Sequence, residues 1–137
     1  MSNIVDVHLR LDEWFSERLR GLRFSEETLA YVVGVLRTLG HPCDGDDLSK
    51  RSIVLEYIDA SARGEFIGFQ RIGDWVLWVN VVMPEAVVND KSVVETFGRL
   101  SYRACNRILR GKWHVYEELA DELPVLVVKV RQKLVAV

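Results

Sequence analysis

His114, Glu117 and Glu118 come nearest to a chemical motif in this chain. On a helix the glutamates lie three and four residues beyond the histidine, so one face could begin a metal site. The rest of a ligand set is not visible. A di-iron bundle needs two glutamate-x-x-histidine motifs and two further carboxylates, whereas here the order is reversed. A catalytic zinc takes three protein ligands, and His8 and His41 stand on no matching motif. Cys105 falls on the apolar side of a predicted helix, where a thiol is inert, and it forms no recognisable nucleophile pair with His114. Gly64, Gly68 and Gly73 lack the spacing and the following lysine of a phosphate loop, and there is no nucleophile elbow. The acids of HPCDGDD, 41–47, lack the glycine and the final glutamate of a calcium loop. These readings lean against an enzyme, and neither a cofactor nor a metal is expected.

Arginines and tryptophans are the other candidates. Arg99, Arg103, Arg107 and Arg110 recur at four, four and three residues, and Lys112 extends the series. On one helix they fall within roughly a quarter-turn and form a ridge, the footprint of a phosphate-binding surface. The competing reading pairs them with acids of a neighbouring element, and Glu117, Glu118, Asp121 and Glu122 follow directly. The net charge of -2 favours that structural reading, or a protein partner, over nucleic acid. Of the four tryptophans, Trp14 and Trp78 are expected in the core, with Trp75 and Trp113 as candidates for an exposed or oligomeric surface. A small-molecule or metal site near Trp78, Tyr102 and His114 is a further alternative.

The elements that must position these residues read mainly as helices. A chain of 137 residues, 49% apolar and 28% charged, is one globular domain with enough length for a core. Its two cysteines suit reduced thiols in a cytoplasmic protein. The N-terminal stretch has no signal-peptide apolar region, and no apolar run is long enough for a membrane. Asp12 can cap a helix over 12–21; before it Val5, Val7, Leu9 and Leu11 alternate as in a strand, yet Ile4, Val7, Leu11 and Trp14 fit one longer helix equally, which is preferred. Ser25 caps a helix to Leu39, ended by Gly40 and Pro42. Further helices are expected over 49–62, over 92–110 with a Ser92–Glu95 capping box, and over 113–122. Pro124 then opens a last segment, read as helix rather than strand.

The stretch GFQRIGDWVLWVNVVMPE, 68–85, supports two readings. As strands, Gly73-Asp74 is a two-residue hairpin turn that sets Phe69 opposite Trp78. As helices, Gly73 caps one helix and Asp74 opens the next, with Pro84 ending the second; Asn80 then points to solvent or bonds a neighbouring helix.

IGDWVLW followed by Pro84 resembles the LGD-x-x-LF pattern of a group of small bacterial proteins. Other short matches keep the same order: Trp14 to Leu19, Ser25 to Leu36 with Tyr31, then Gly98, Ser101 and Tyr102, then Glu118, Leu119, Ala120 and Pro124. Together they span about residues 12 to 134. The resemblance implies a predominantly helical protein, favours the helix pair at 66–83, and supplies no activity. Where the group carries Ser-Gly this chain has Val79 and Asn80, which argues against a close helix crossing there.

The expectation is a mainly α, compact multi-helix domain over 1–137, with α+β and a hairpin at about 65–83 as the alternative. Its expected role is a non-enzymatic interaction or regulatory module, homodimeric through an apolar helix face and binding a further protein partner. Nucleic-acid binding through the arginine ridge is the second reading.

Overall fold

The computed structural model describes residues 4–37, 52–87 and 90–135, and for 4–10 the backbone alone. Among them the chain forms α1 (Ile4–Leu19), α2 (Glu26–Arg37), α3 (Ile53–Arg63), α4 (Phe66–Val82), α5 (Lys91–Ile108) and α6 (His114–Val135), with a single 3-10 turn at Pro84–Ala86. The described residues contain no strand, so the helical expectation holds and the hairpin does not form. The predicted loop at 41–47, with His41 and Cys43, lies outside the described residues, as do Gly40 and Pro42.

α4 is the axis of the domain. Trp75, Val76 and Leu77 are consecutive and all buried, so at 100° per residue the apolar surface wraps most of the helix. Such a segment matches a two-residue period as well as a helical one, which is why the sequence supported a strand there. α4 packs most extensively on α5, α5 on α6, and α1 on α2, with α3 closing one side of α4.

Two predicted helix breaks are not breaks. α4 runs through Gly73-Asp74 without interruption, because Gly73 meets a space requirement from the neighbouring helix rather than a capping one. A Cβ on Gly73 would lie 2.7 Å from Tyr102 Cε1, and one on Gly98 would lie 2.6 Å from Val76 Cγ1. The close α4–α5 approach is therefore built at these two glycines, and a helix accepts a glycine for it at about 1 kcal/mol each.

α6 likewise runs through Pro124, joining the two predicted segments. Proline has no N–H, so the carbonyl four residues back loses its helical donor. That carbonyl belongs to Ala120, and it accepts instead from Arg99 Nε of α5 at 2.8 Å. A second donor of Arg99 lies 3.5 Å from the Asp121 carbonyl.

The starts of α2, α3 and α5 carry side-chain caps, whereas α4 begins without one. Ser25 Oγ accepts from the Thr28 N–H at 3.1 Å, as expected for α2. α1 is the longer helix, so Asp12 lies inside it and pairs with Arg37 at 3.1 Å rather than capping. The predicted Ser92–Glu95 box is displaced: Asp90 caps α5, accepting from the Ser92 N–H at 2.8 Å. Asn80 is partly exposed, and its amide donates to the Val76 carbonyl of its own helix at 2.8 Å rather than to a neighbouring helix.

Candidate functional site

Four helices meet at one carboxylate. Asp74 and Gln70 stand one turn apart on α4, and Tyr31 of α2, Tyr102 of α5 and Tyr116 of α6 converge on them. Asp74 Oδ1 accepts from the Tyr31 hydroxyl at 2.7 Å and from the Tyr102 hydroxyl at 2.8 Å. The Tyr116 hydroxyl donates to Tyr31 Oη at 3.3 Å. Gln70 Nε2 donates to Tyr116 Oη at 3.0 Å and lies 3.4 Å from Tyr31 Oη. Each phenol has one hydrogen to give. The donors therefore run in one direction, from Gln70 through Tyr116 and Tyr31 to Asp74, with Tyr102 arriving from the other side.

Aromatic rings enclose this centre. Tyr31 meets Tyr116 edge-on at 5.3 Å between ring centres, Trp113 packs on Tyr31 and Tyr116 at 5.8 and 5.5 Å, and Phe66 packs on Tyr116 at 5.5 Å. Burial pushes the Asp74 carboxyl up to about 6, against the two phenolic donors that favour its ionised form. Burial, then the neighbouring Asp74, lifts Tyr31 and Tyr102 far above the usual phenol range; burial also raises Tyr116. These phenols are neutral donors at physiological pH. Burial, with the charge of Asp74, pushes the Cys105 thiol up to about 12, so it stays protonated and unreactive, as its apolar position predicted.

A second polar cluster lies beside the first, across the starts of α2 and α6. Glu118 Oε1 accepts from the Ser25 backbone N–H at 3.1 Å and lies 3.1 Å from Ser25 Oγ. Ser25 Oγ is also 2.8 Å from Thr28 Oγ1 and 3.0 Å from His114 Nε2. His114 Nδ1 is 3.8 Å from Glu27 Oε2, which accepts from Trp113 Nε1 at 2.8 Å. Burial pushes Glu118 upward, but hydrogen bonds from Thr28 and Ser25 and the charge of His114 outweigh it and hold the carboxyl below its usual range.

The order serine, histidine, glutamate is that of a nucleophile with its base, but the chemistry differs. The Ser25 hydroxyl has one hydrogen with three acceptors in reach, while its oxygen already caps α2. A carboxylate 3.1 Å from that oxygen opposes the negative charge that acyl transfer develops nearby. The arrangement is a clasp between two helix ends.

The predicted ridge is divided by these contacts. Arg99 bonds the α6 backbone rather than an acid, and Arg103, itself exposed, reaches the Asp121 carboxylate at 3.5 Å. Arg107, Arg110 and Lys112 are exposed, and Arg110, expected on the helix, lies beyond the end of α5 with a positive φ of 55° beside Gly111. Trp75, expected as a candidate for the surface, is in the core because the central turns of α4 are covered around most of their circumference. Trp14, expected inside, is instead 43% exposed and carries Arg18 over its ring. Trp78 packs against the core. Trp113 is half-buried between Tyr31, Tyr116 and Glu27.

Tyr102 reaches Asp74 and His114 reaches Ser25, so these two residues of the alternative site near Trp78, Tyr102 and His114 stand in two adjacent clusters. Glu117 is exposed while Glu118 turns to Ser25, so the two carboxylates beside His114 face different surroundings. Among the described residues no three His, Cys, Asp or Glu side chains are grouped to hold a metal ion. No described helix is long and apolar enough to cross a membrane.

The chain matches no family model, no curated protein and no solved structure. The Asp74 centre was not assembled from the sequence, yet a signal for it was present. Tyr31, Gly73-Asp74, Tyr102 and Glu118 all belong to the short stretches that carried the resemblance. Tyr31, Asp74 and Tyr102, separate in sequence, meet at the first cluster, and Glu118 stands in the second.

Proposed function

We propose that the protein is a non-enzymatic interaction module that self-associates, its most reactive side chains serving to fasten helices to one another. The observation that supports this reading is the Asp74 centre. Its carboxylate takes its donors from Tyr31 and Tyr102, and its tyrosines take theirs from each other and from Gln70. A substrate would have to displace these partners to reach the chemistry. The Ser25–Glu118–His114 clasp, partly exposed, likewise uses its polar groups to join α2 to α6. Arg99, the first arginine of the ridge, is tied to the α6 backbone. What the molecule offers outward includes apolar side chains, among them Val125 and Val128 of α6 at 50% and 53% exposure.

Native mass spectrometry of the gently purified protein tests this. Bare protein masses, with a multiple that grows with concentration, are expected. A small molecule, metal or oligonucleotide retained in fixed stoichiometry would overturn the reading.

A further inference from the structure

The outer side of α6 has the pattern of a helix-pairing seam. Asp121, Val125, Val128, Gln132 and Val135 are exposed and recur at four, three, four and three residues. At 100° per residue they fall within roughly an 80° arc, opposite the inward row of Leu119, Leu123, Leu126 and Val130. Val135 is 70% exposed, so the stripe reaches the end of the helix. Resting on the reading of an interaction module, we propose that this seam pairs antiparallel with the same seam of a second copy.

Charge decides both the occupant and its direction. The outer face of α6 is acidic in its first half, with Asp121 and Glu122, and basic in its second, with Lys129, Arg131 and Lys133. A helix so divided is complementary to itself when reversed. In a two-fold pair that sets Val125 against the second copy's Val128, Glu122 falls beside the second copy's Lys129, and the reciprocal contact forms by symmetry. Asp121 then faces Gln132, a polar pair at the rim. A parallel pair would set Asp121 against Asp121 and leave Glu122 and Lys129 apart. The seam is short, about two heptads, and so falls below the area of a standard stable interface. The dimer is accordingly weak and concentration-dependent.

Sedimentation equilibrium of the full chain at low salt tests the pairing over a range of concentrations. Wild type is expected to shift from monomer to dimer. Val128→Asp is expected to raise Kd roughly tenfold or more. Its circular dichroism should be unchanged, since the residue is exposed and has no part in the core. Glu122→Lys alone and Lys129→Glu alone weaken the dimer, while the double exchange restores it, because the reversed charges meet again only in the antiparallel arrangement. A wild-type chain that stays monomeric at several hundred micromolar (roughly the top of the range for such weak pairs) would overturn the proposal. So would a dimer indifferent to Val128→Asp, or a double exchange no better than the single ones. These outcomes remove the seam only; a retained ligand in native mass spectrometry removes the module reading itself.

Discussion

An aspartate enclosed by tyrosines binds its proton more tightly in the folded chain than in the unfolded one. The ordinary carboxylate value of 3.8 rises to about 6 in Asp74. The folded state therefore holds more protons between these values, and stability falls as pH rises through that window, levelling above it. The difference corresponds to on the order of 3 kcal/mol. Asp74→Asn keeps an oxygen for Tyr31 and Tyr102 without the charge. It is expected to be about as stable as wild type near pH 4, more stable at pH 7.5, and nearly free of this pH dependence. Urea unfolding of both proteins at the two pH values checks it; equal stability at pH 7.5 would show that Asp74 is no burden when ionised. Gly73 gives a second prediction. A methyl group there meets the Tyr102 ring at 2.7 Å, and that ring is fully buried. Gly73→Ala should destabilise by about 1–3 kcal/mol, the usual range for overpacking, in spite of the better helix propensity of alanine. Thermal or urea denaturation measures it.

Elements were the most legible level of the sequence, and their errors share one cause. Apolar spacing located α2, α3 and α5 and Ser25 marked the start of α2, whereas the segment of α4 fitted strands as well as helices and α6 was divided in two. Gly73-Asp74 and Pro124 were read as breaks because local rules assign glycine to a C-cap, aspartate to an N-cap and proline to a boundary. In each case a side chain from α5 supplies the reason the helix continues: Tyr102 beside Gly73 and bonded to Asp74, and Arg99 on the Ala120 carbonyl. No spacing within α4 or α6 carries that information. The outward tryptophan was misplaced similarly, since Trp14 and Trp75 both sit on apolar stripes and only the packing order decides which stripe is covered. The Arg99–Pro124 relation is testable as a cycle. Arg99→Ala leaves the Ala120 carbonyl without its donor and should lower stability by about 1–3 kcal/mol. In a Pro124→Ala background residue 124 donates to that carbonyl, so the same arginine substitution should lose about 1 kcal/mol less. Additive effects in urea denaturation would mean that the arginine does not mend the helix.

At the scale of the whole molecule, the Asp74 centre joins α2, α4, α5 and α6 through side chains that belong to no single element. The adjacent clasp ties α2 to α6 again through Ser25 and Glu118. Helices fastened in this way must release together, since opening any one strands a buried polar group. α3 is joined differently. It rests mainly on α4 and α5, buries Ile53 and Ala60 as its most enclosed side chains, and exposes Leu55 and Ile58 at 66% and 56%. It contributes nothing to the tyrosine centre. Hydrogen exchange followed by mass spectrometry should accordingly divide the chain: amides of α4, α5 and α6 exchange only through global unfolding, while those of α3 open first, at a lower free energy. Tyr31→Phe removes both a donor to Asp74 and the acceptor of Tyr116, so it should bring the exchange of α2 towards that of α3 and leave α3 unchanged. If α3 and α5 exchanged at one common rate in the wild type, the domain would be a single cooperative unit. The tyrosine centre would then be one contact among many rather than the point at which four helices are held.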